Sequence, residues 1–378
     1  MRIGLFETDH FEVTHTLLRL FDNGTHELTL FVYDYSWRQL QYLLEEQPAR
    51  NLSVIVRAPE ESRRQFIARM QQETGQRQLD LLLLNTVADN YLHYAAMVSK
   101  LRPRRILLTL HDIHQFLDTP PGLSLRSWAS YLGKRWLLKN IQELNVLAAP
   151  MQTYLQQRLP AKTIHLLPGA FFEGTSYREP AMPVEQLLRL VVPGSVDPRR
   201  RDYEQVFTLL EAARVKGFAI EITLLGAFTG EEGANLLQRC QDYAAKYDNL
   251  KFFGKETVHQ SRFDQLMQEA HLVFTPSVIH TRMEGKVEEV YGLSITSGNL
   301  ADCIRYARPW LIPAALQTPE DREPAIIRYT APDDLPGLLK SLQEEPARYA
   351  ALLQRALTVS RTYTLENIRQ QNPDLFGG

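Results

Sequence analysis

The chain has 378 residues, of which 44% are hydrophobic and 23% are charged. This length exceeds what one hydrophobic core organises, so we expect two domains of about 150–200 residues each. The formal net charge of −2 argues against a nucleic-acid partner, and the lack of any apolar run near about 18 residues argues against a membrane span.

The cysteines and the first residues indicate the compartment. Cys240 and Cys303 are the only cysteines, and each lies in a stretch that predicts a helix, which is not the pattern of a disulfide framework. The chain reaches the acidic Glu7 without the apolar stretch of a signal peptide. We therefore expect a cytoplasmic protein, with contact at a membrane surface left open.

The first half alternates short apolar runs with longer amphipathic stretches, which is typical of βαβ units around a parallel sheet. It predicts a doubly wound α/β domain over residues 1–172. The predicted strands are Arg2–Phe6, Glu27–Val32, Leu52–Arg57, Asp80–Asn85, Arg105–Leu110, Asn145–Ala148 and Thr163–Leu167.

A second series of the same kind predicts another doubly wound domain over residues 187–345. Two such Rossmann-like domains in tandem face a cleft, and ligands bind beyond the carboxyl ends of their strands. The predicted strands are Leu188–Val192, Ile220–Leu225, Leu250–Phe253, Leu272–Thr275, Trp310–Pro313 and Ile326–Tyr329.

The remaining segments connect these domains. The stretch Glu173–Val184 contains glycine and proline without apolar periodicity, so we predict a linker at residues 173–186. Residues 346–378 hold a long amphipathic helical stretch, Pro346–Gln371, whose apolar side chains need a partner. We expect this segment to pack back across the domain junction.

The loop from Glu289 to Asn299 carries the clearest sign of anion binding. It precedes a predicted helix, Leu300–Ala307, which Thr296 or Ser297 can cap, and Gly298 lets a ligand approach the backbone. Free N–H groups and the helix dipole at such an end attract phosphate. The alternative is simply a well-capped helix.

A second loop can reach the same ligand. Gly194 and Ser195 end the first strand of the second domain, and Arg199, Arg200 and Arg201 follow just before a predicted helix, Asp202–Ala213. Basic side chains there can contact a pyrophosphate held by the other loop. The alternative is a solvated start of a helix.

The order of these motifs resembles the donor-binding domain of GT-B glycosyltransferases, most closely the retaining family-4 group. In that group a strand ending in Gly-Arg precedes a Lys, and two glutamates stand seven residues apart. Gly194-Ser195 occupies the Gly-Arg place and Arg201 the Lys place. Glu289, followed by Tyr291-Gly292, matches the first glutamate, whereas Ser297 replaces the second.

The resemblance implies roles for these residues. Glu289 would hold hydroxyls of the donor sugar, and the second glutamate of the family, here Ser297, is associated with the ribose hydroxyls. The missing arginine at Ser195 removes one phosphate contact, which Arg199, Arg200 or Lys286 can supply. Lys286 lies in the same long loop as Glu289, and its alternative is a mobile, solvated position.

The first domain offers polar residues at two strand ends. His111 and Asp112 follow the fifth predicted strand, and the family often carries a functional His there, so His111 would contact the transferred sugar with Asp112 orienting it. Asp9 and His10 follow the first strand and would face the same cleft on the acceptor side. For both pairs the alternative is an ordinary turn or helix start.

The metal-ligating residue types form no complete ligand set in the sequence. Neighbouring histidines lack a cysteine or an ordered carboxylate cluster, and there is no paired-aspartate strand end. We therefore expect no metal and no cofactor. The helix Leu125–Lys139 mixes aromatic and basic residues that can lie on an anionic membrane, but its stripe of Trp128, Leu132 and Trp136 predicts a core-facing surface.

The sequence thus predicts a glycosyltransferase that moves a sugar from a nucleotide-diphosphate-sugar donor to a glycan, lipid-linked or small-molecule acceptor. The resemblance implies retention at the anomeric carbon, with the leaving diphosphate helping to deprotonate the acceptor. Two alternatives remain open: a nucleotide-sugar epimerase of the same fold, and a non-catalytic partner protein that binds nucleotide-sugar or glycan.

Overall fold

A computed structural model describes residues 1–46, 48–101, 105–282 and 287–376. The first part forms a seven-stranded parallel sheet in the order β3-β2-β1-β4-β5-β6-β7, with helices between the strands. Its elements are β1 (Arg2–Glu7), α1 (Phe11–Phe21), β2 (Glu27–Val32), α2 (Asp34–Glu46), β3 (Leu52–Val56), α3 (Arg63–Gln76), β4 (Leu81–Leu84), α4 (Tyr91–Lys100), β5 (Arg105–Thr109), α5 (Ile113–Leu117), α6 (Leu125–Asn140), β6 (Glu143–Val146), α7 (Ala149–Arg158) and β7 (Thr163–Leu166).

The second part forms a six-stranded parallel sheet in the order β10-β9-β8-β11-β14-β15, beside a separate antiparallel pair, β12-β13. Its elements are β8 (Leu188–Pro193), α8 (Glu204–Lys216), β9 (Ile220–Leu225), α9 (Gly230–Ala244), β10 (Leu250–Phe252), α10 (Gln260–Glu269), β11 (Leu272–Phe274), β12 (His280–Thr281), β13 (Glu289–Val290), α11 (Gly298–Tyr306), β14 (Trp310–Pro313), β15 (Ile326–Tyr329) and α12 (Leu335–Glu344).

Both sheets change strand order next to their first strand. In the first sheet β1 lies between β2 and β4, and in the second β8 lies between β9 and β11. Chain crossovers on opposite sides of that strand leave a crevice at its carboxyl end, where open α/β sheets bind ligands. The predicted pair of doubly wound α/β domains is confirmed.

The end of the chain contacts both parts. Helix α13 (Pro346–Ser360) packs Leu352 and Leu353 into the core of the second sheet. After a turn, α14 (Leu365–Gln371) and α15 (Pro373–Phe376) add Ile368 and Leu375 to the core of the first sheet. The guanidinium of Arg369 donates to the carbonyl oxygens of Arg19 and Leu20 at the end of α1, which ties this segment to the first part.

Helix α6 corrects one prediction from the sequence. Its stripe of Trp128, Leu132 and Trp136 was expected to face the core, but these side chains are 47%, 52% and 41% exposed. The buried side instead presents Gly133 and Leu137 to the protein. At Gly133 an added Cβ would lie 2.5 Å from the backbone nitrogen of Leu92, so α4 and α6 approach too closely for a larger residue.

Candidate functional site

The carboxyl end of β8 turns sharply over a buried arginine. Gly194 has φ +88°, a conformation that favours glycine, and a Cβ on Gly226 would lie 2.2 Å from the carbonyl oxygen of Gly194. Arg201 lies beneath this turn and is only 7% exposed. Its guanidinium donates to the carbonyl oxygens of Pro193 and Ser195 at 2.7 and 2.9 Å.

Arg201 also joins this turn to the start of α11. It donates to Asn299 Oδ1 at 2.8 Å, and Asn299 Nδ2 donates to the carbonyl oxygen of Pro193 at 2.9 Å. All three acceptors of the guanidinium are neutral, and within the described residues no carboxylate forms an ion pair with it. The positive charge of Arg201 therefore adds to the positive end of the α11 dipole.

The first turn of α11 leaves space for a ligand. Ser297 is the N-cap, and its hydroxyl oxygen accepts the N–H of Asn299 at 3.3 Å. Of the two residues predicted to cap this helix, Ser297 does so, and Thr296 is half-buried in front of it. Gly298 is exposed, and no atom lies within 4 Å of the position a Cβ would take. The predicted helix starts two residues earlier than expected because Ser297 caps it.

Arg199 and Arg200 precede the buried Arg201 in the loop after β8. The side chain of Arg199 is 50% exposed and pairs with Asp197 at 2.7 Å, whereas Arg200 is 46% exposed and its Nε lies 3.9 Å from the same carboxylate. Burial alone would raise the pKa of Asp197, but hydrogen bonds from Arg199 hold it below its usual value. Because the guanidinium of Arg200 lies farther from the Asp197 carboxylate than that of Arg199, it is the more available of the two for contact with an anion.

Glu289 connects the two parts of the molecule. It lies on β13 and is 3% exposed, and its carboxylate accepts the N–H groups of Gln115 at 2.6 Å and of His114 at 3.3 Å in α5. Burial, with Asp112 nearby, raises the pKa of Glu289. The Ser294 side chain also hydrogen-bonds to this carboxylate, and since a carboxylate offers about four acceptor positions, one is left for a ligand hydroxyl.

The segment around Glu289 runs alongside the strand end that holds His111. Ile113 N–H donates to the carbonyl oxygen of Ser294 at 2.9 Å, and Asp112 forms a β-bridge with Ile295. The structure therefore brings the Asp112 and Glu289 loops together across the cleft. Sequence patterns did not reveal this contact, because it depends on how the two sheets are docked.

Tyr291 and Gly292 support this segment from below. Tyr291 is 5% exposed, and its N–H donates to the carbonyl oxygen of Ile279 at 2.9 Å. Gly292 has φ +84°, and an added Cβ would lie 2.2 Å from the carbonyl oxygen of Gln317. These contacts fix the position of the loop, and the part of both residues in donor binding stays a prediction. Lys286 lies outside the described residues.

Glu7, at the end of β1, is a site residue that the sequence interpretation missed. It is fully buried, and Oε1 accepts the N–H groups of Thr8, Asp9 and His10 at 2.6, 2.5 and 2.9 Å. Oε2 accepts the side chains of three further residues, which are Thr14, Asn85 and Thr86. The visible signal is one carboxylate that follows the apolar run Ile3–Phe6 and precedes three polar residues.

The Glu7 carboxylate lies beneath a pair of histidines. The rings of His10 and His111 stack with centroids 4.2 Å apart, and His111 Nε2 lies 2.8 Å from the carbonyl oxygen of Asn85. Since a carbonyl only accepts, Nε2 carries the proton and Nδ1 is an acceptor. The structure thus places the rings of His10 and His111 in contact, whereas the side chain of Asp9 is exposed. The hydrogen bond to the carbonyl oxygen of Asn85 orients the ring of His111.

The charges of this cluster follow from burial. Burial, reinforced by His10, lowers the pKa of His111 to about 3, so this ring is neutral at neutral pH. Burial alone would raise the pKa of Glu7, but His10, His111 and the backbone donors hold it below its usual value. The cluster therefore presents a neutral imidazole above a fixed negative charge.

An acidic residue also lies in the first turn of α11. Asn299 Nδ2 donates to Asp302 Oδ2 at 3.3 Å. Burial raises the pKa of Asp302 to about 7, with Glu12 of α1 contributing in the same direction and Arg305 opposing. The charge at this end of the helix therefore changes near neutral pH.

Across the described residues, no group of three or more His, Cys, Asp or Glu side chains is placed to hold a metal ion. Likewise, no helix in the described ranges is long and apolar enough to cross a membrane.

Comparison with known proteins identifies the fold. No protein-family model matches the sequence, and no curated protein matches it either. Sucrose-phosphate synthase from Thermosynechococcus elongatus is 13% identical, with a TM-score of 0.65 over 100% of this chain and 98% of that one. HepE of Anabaena, solved with UDP and glucose, is 13% identical, with a TM-score of 0.68 over 100% of both chains.

Epimerases share the architecture as well. The UDP-GlcNAc 2-epimerase from Neisseria meningitidis, solved with UDP-GlcNAc, is 11% identical, with a TM-score of 0.55 over 100% of both chains. Identities at this level establish the fold alone. The predicted GT-B architecture, with two Rossmann-like domains facing a cleft, is therefore confirmed.

Proposed function

We propose that this protein is a glycosyltransferase whose donor is a nucleotide-diphosphate sugar bound by the second domain. The observation that carries the proposal is the open first turn of α11, where Gly298 is exposed and the buried Arg201 forms no ion pair with any carboxylate in the described part of the chain. A helix N-terminus with an added cation is a strong site for a diphosphate. HepE, which shares the fold, was solved with UDP and glucose, and this supports the same donor class.

Different residues around this turn bind the diphosphate and the sugar of the donor. Backbone N–H groups near Gly298 and the guanidinium of Arg200 bind the diphosphate, while Arg201 supplies charge from below. Glu289, held at the cleft by Gln115, accepts hydrogen bonds from hydroxyls of the donor sugar. His111 offers Nδ1 as an acceptor to a hydroxyl of the sugar or of the acceptor molecule, with His10 and Asp9 on the acceptor side.

The reaction moves the anomeric carbon from one oxygen to another. The bond between that carbon and the diphosphate oxygen breaks with its electrons going to the diphosphate, and a bond to the acceptor oxygen forms. The acceptor proton passes to the leaving diphosphate, and the sugar keeps its anomeric configuration. Positive charge at Arg200, Arg201 and the α11 terminus stabilises the departing group, so the proposal includes no metal ion.

The first test is a thermal-shift screen with uridine, guanosine and adenosine diphosphate sugars, since a ligand that binds only the folded state raises its stability. One of these nucleotide sugars should raise the unfolding temperature. Arg200→Ala should lower the affinity for that ligand about tenfold or more, as expected for the loss of one hydrogen bond to a charged group. Arg214→Ala is the matched control, because Arg214 is 51% exposed but lies on α8 and pairs with Glu211.

Release of nucleoside diphosphate in the presence of candidate acceptors then tests catalysis. A flat thermal response to all three nucleotides, with no diphosphate released, would overturn the proposal. Binding without turnover against a broad acceptor panel would instead favour a non-catalytic nucleotide-sugar-binding protein.

The shared fold of the UDP-GlcNAc 2-epimerases supports a second candidate, a nucleotide-sugar epimerase. An epimerase needs no acceptor and produces an altered sugar. Incubation with UDP-GlcNAc alone, followed by NMR of the products, separates the two functions. A new sugar stereoisomer in that reaction would favour the epimerase, and an unchanged sugar nucleotide would favour the transferase.

A further inference from the structure

Helix α6 carries an exposed apolar face. Among the described residues nine large hydrophobic side chains are exposed, and five of them lie between residues 123 and 136. The helix is 16 residues long, which corresponds to about 24 Å. We call this surface the α6 face; it consists of Leu123, Leu125, Trp128, Leu132 and Trp136.

These side chains point the same way. At 100° per residue, Leu125, Trp128, Leu132 and Trp136 fall within a stripe about 80° wide. The buried residues Lys134 and Leu137 lie about 160° and about 140° from the centre of that stripe, and the buried Gly133 lies about 100° from it. The orientation of the helix is therefore set by its buried side, and the α6 face is left to solvent.

The charge around the α6 face has one sign. The stretch from Thr119 to Gln142 contains Arg126, Lys134, Arg135 and Lys139 and no acidic residue. Lys134 is buried, where its Nζ donates to the carbonyl oxygen of Gln115, and the other three are exposed. An apolar stripe with tryptophans at the level of basic side chains is the composition that interfacial helices use on anionic membranes.

A cavity of about 700 Å³ adjoins the N-terminal end of this helix. Leu92 and Leu125 line it together with the cationic Arg64 and Arg126. Both arginines are exposed at its edge. The carboxylate of Asp89 lines it as well and pairs with Arg63, so the cavity combines apolar groups with charges of both signs and does not by itself favour an anionic headgroup.

We propose that the α6 face docks this protein on a membrane surface that contains anionic lipids. Trp128, Leu132 and Trp136 enter the boundary between headgroups and acyl chains, and Arg126, Arg135 and Lys139 bind the headgroups. Lys134, on the opposite side, connects the helix to Gln115, whose N–H binds Glu289. The docked helix thus lies directly behind the cleft. This inference does not depend on sugar transfer.

The test is sedimentation of the full chain with vesicles of phosphatidylcholine alone or of equal parts phosphatidylcholine and phosphatidylglycerol. The protein should sediment only with the anionic vesicles, and tryptophan emission should move to shorter wavelength. Trp128→Ser with Trp136→Ser should weaken binding at least tenfold. Arg135→Glu with Lys139→Glu should weaken it by ~25-fold or more, since each basic side chain near the surface contributes about fivefold.

The matched control is Val215→Ser with Lys216→Glu, which removes an exposed apolar residue and a cation from α8 and should leave binding unchanged. Because all substituted side chains are exposed, each variant should keep the unfolding temperature of the parent. The proposal fails if the parent does not sediment with anionic vesicles, or if the tryptophan pair makes no difference. It also fails if the parent is a dimer that the tryptophan variant dissociates, because a second copy then covers the face.

Discussion

Gly298→Ala separates the fold of α11 from ligand binding at its first turn. Glycine is less favourable than alanine in a helix, and no atom lies within 4 Å of the added Cβ. The variant should therefore be more stable by about 0.5–1 kcal/mol, or a rise in unfolding temperature of about 1–4 °C. The same methyl group occupies the space in which a diphosphate must approach the backbone N–H groups.

The expected loss is one hydrogen bond to a charged group, about 1.5–3 kcal/mol. This corresponds to an affinity lower by roughly 10- to 150-fold. Calorimetric titration with the nucleoside diphosphate that gives a thermal shift measures it. Gly337→Ala is the control, because Gly337 is also in a helix with open space at its Cβ but lies in α12. Equal affinity in Gly298→Ala and the parent would refute the proposed phosphate site.

Three further substitutions test the surrounding structure by chemical denaturation. The raised pKa of Asp302 means that the folded state holds a proton from about pH 4 to about pH 7. The free energy of unfolding of the parent should therefore fall over that pH range by at most ~4 kcal/mol relative to that of Asp302→Asn. If the two proteins lose stability in parallel as the pH rises, the raised pKa is contradicted. Glu7→Gln should lower the free energy of unfolding by ~3 kcal/mol or more, because an amide nitrogen would face the N–H donor of Asn85. A loss below ~1 kcal/mol, the size expected for one neutral hydrogen bond, would contradict this. Gly292→Ala should destabilise by more than ~2 kcal/mol through its positive φ and the contact with Gln317, whereas Gly254→Ala, with open space, should not.

The strands were predictable where an apolar run stood between turn residues. The bounds of Glu27–Val32 and Ile220–Leu225 agree with the sequence prediction residue for residue. The strand expected at Asn145–Ala148 lies instead at Glu143–Val146, because Leu147 and Ala148 are buried in the turn that follows it. Apolar character marks burial, and burial continues past the end of a strand.

The tail and the loops show what local patterns miss. The stretch expected as one helix breaks where Thr364 caps a new helix by accepting the N–H of Asn367. The pair β12-β13 has only two residues in each strand, too few for any periodicity. Helix α6 was predicted at Leu125–Lys139 and lies at Leu125–Asn140, but periodicity does not say which side meets the protein. Its close contact with Leu92 through Gly133 decides that.

The candidate site was predictable in composition and not in contacts. Its residue types at the α11 turn and after β5 are visible in the sequence, but the burial of Arg201 depends on Asn299, about a hundred residues away. The partners of Glu7 include Asn85, which directly follows β4. The cross-cleft hydrogen bonds of Glu289 require both sheets to be docked. Such long-range contacts have no counterpart in a local motif.

The buried carboxylate of Glu7 bears on stoichiometry. Two doubly wound domains offer two helix N-termini of the kind that hold phosphate. At α1 the backbone N–H groups of Thr8, Asp9 and His10 already bind Oε1 of Glu7. The chain carries its own fixed anion at that end, whereas at the start of α11 Gly298 is exposed and the pKa of the nearby Asp302 carboxyl is raised to about 7. Under the proposed function we therefore expect one nucleotide per chain, with the first domain left for the other substrate.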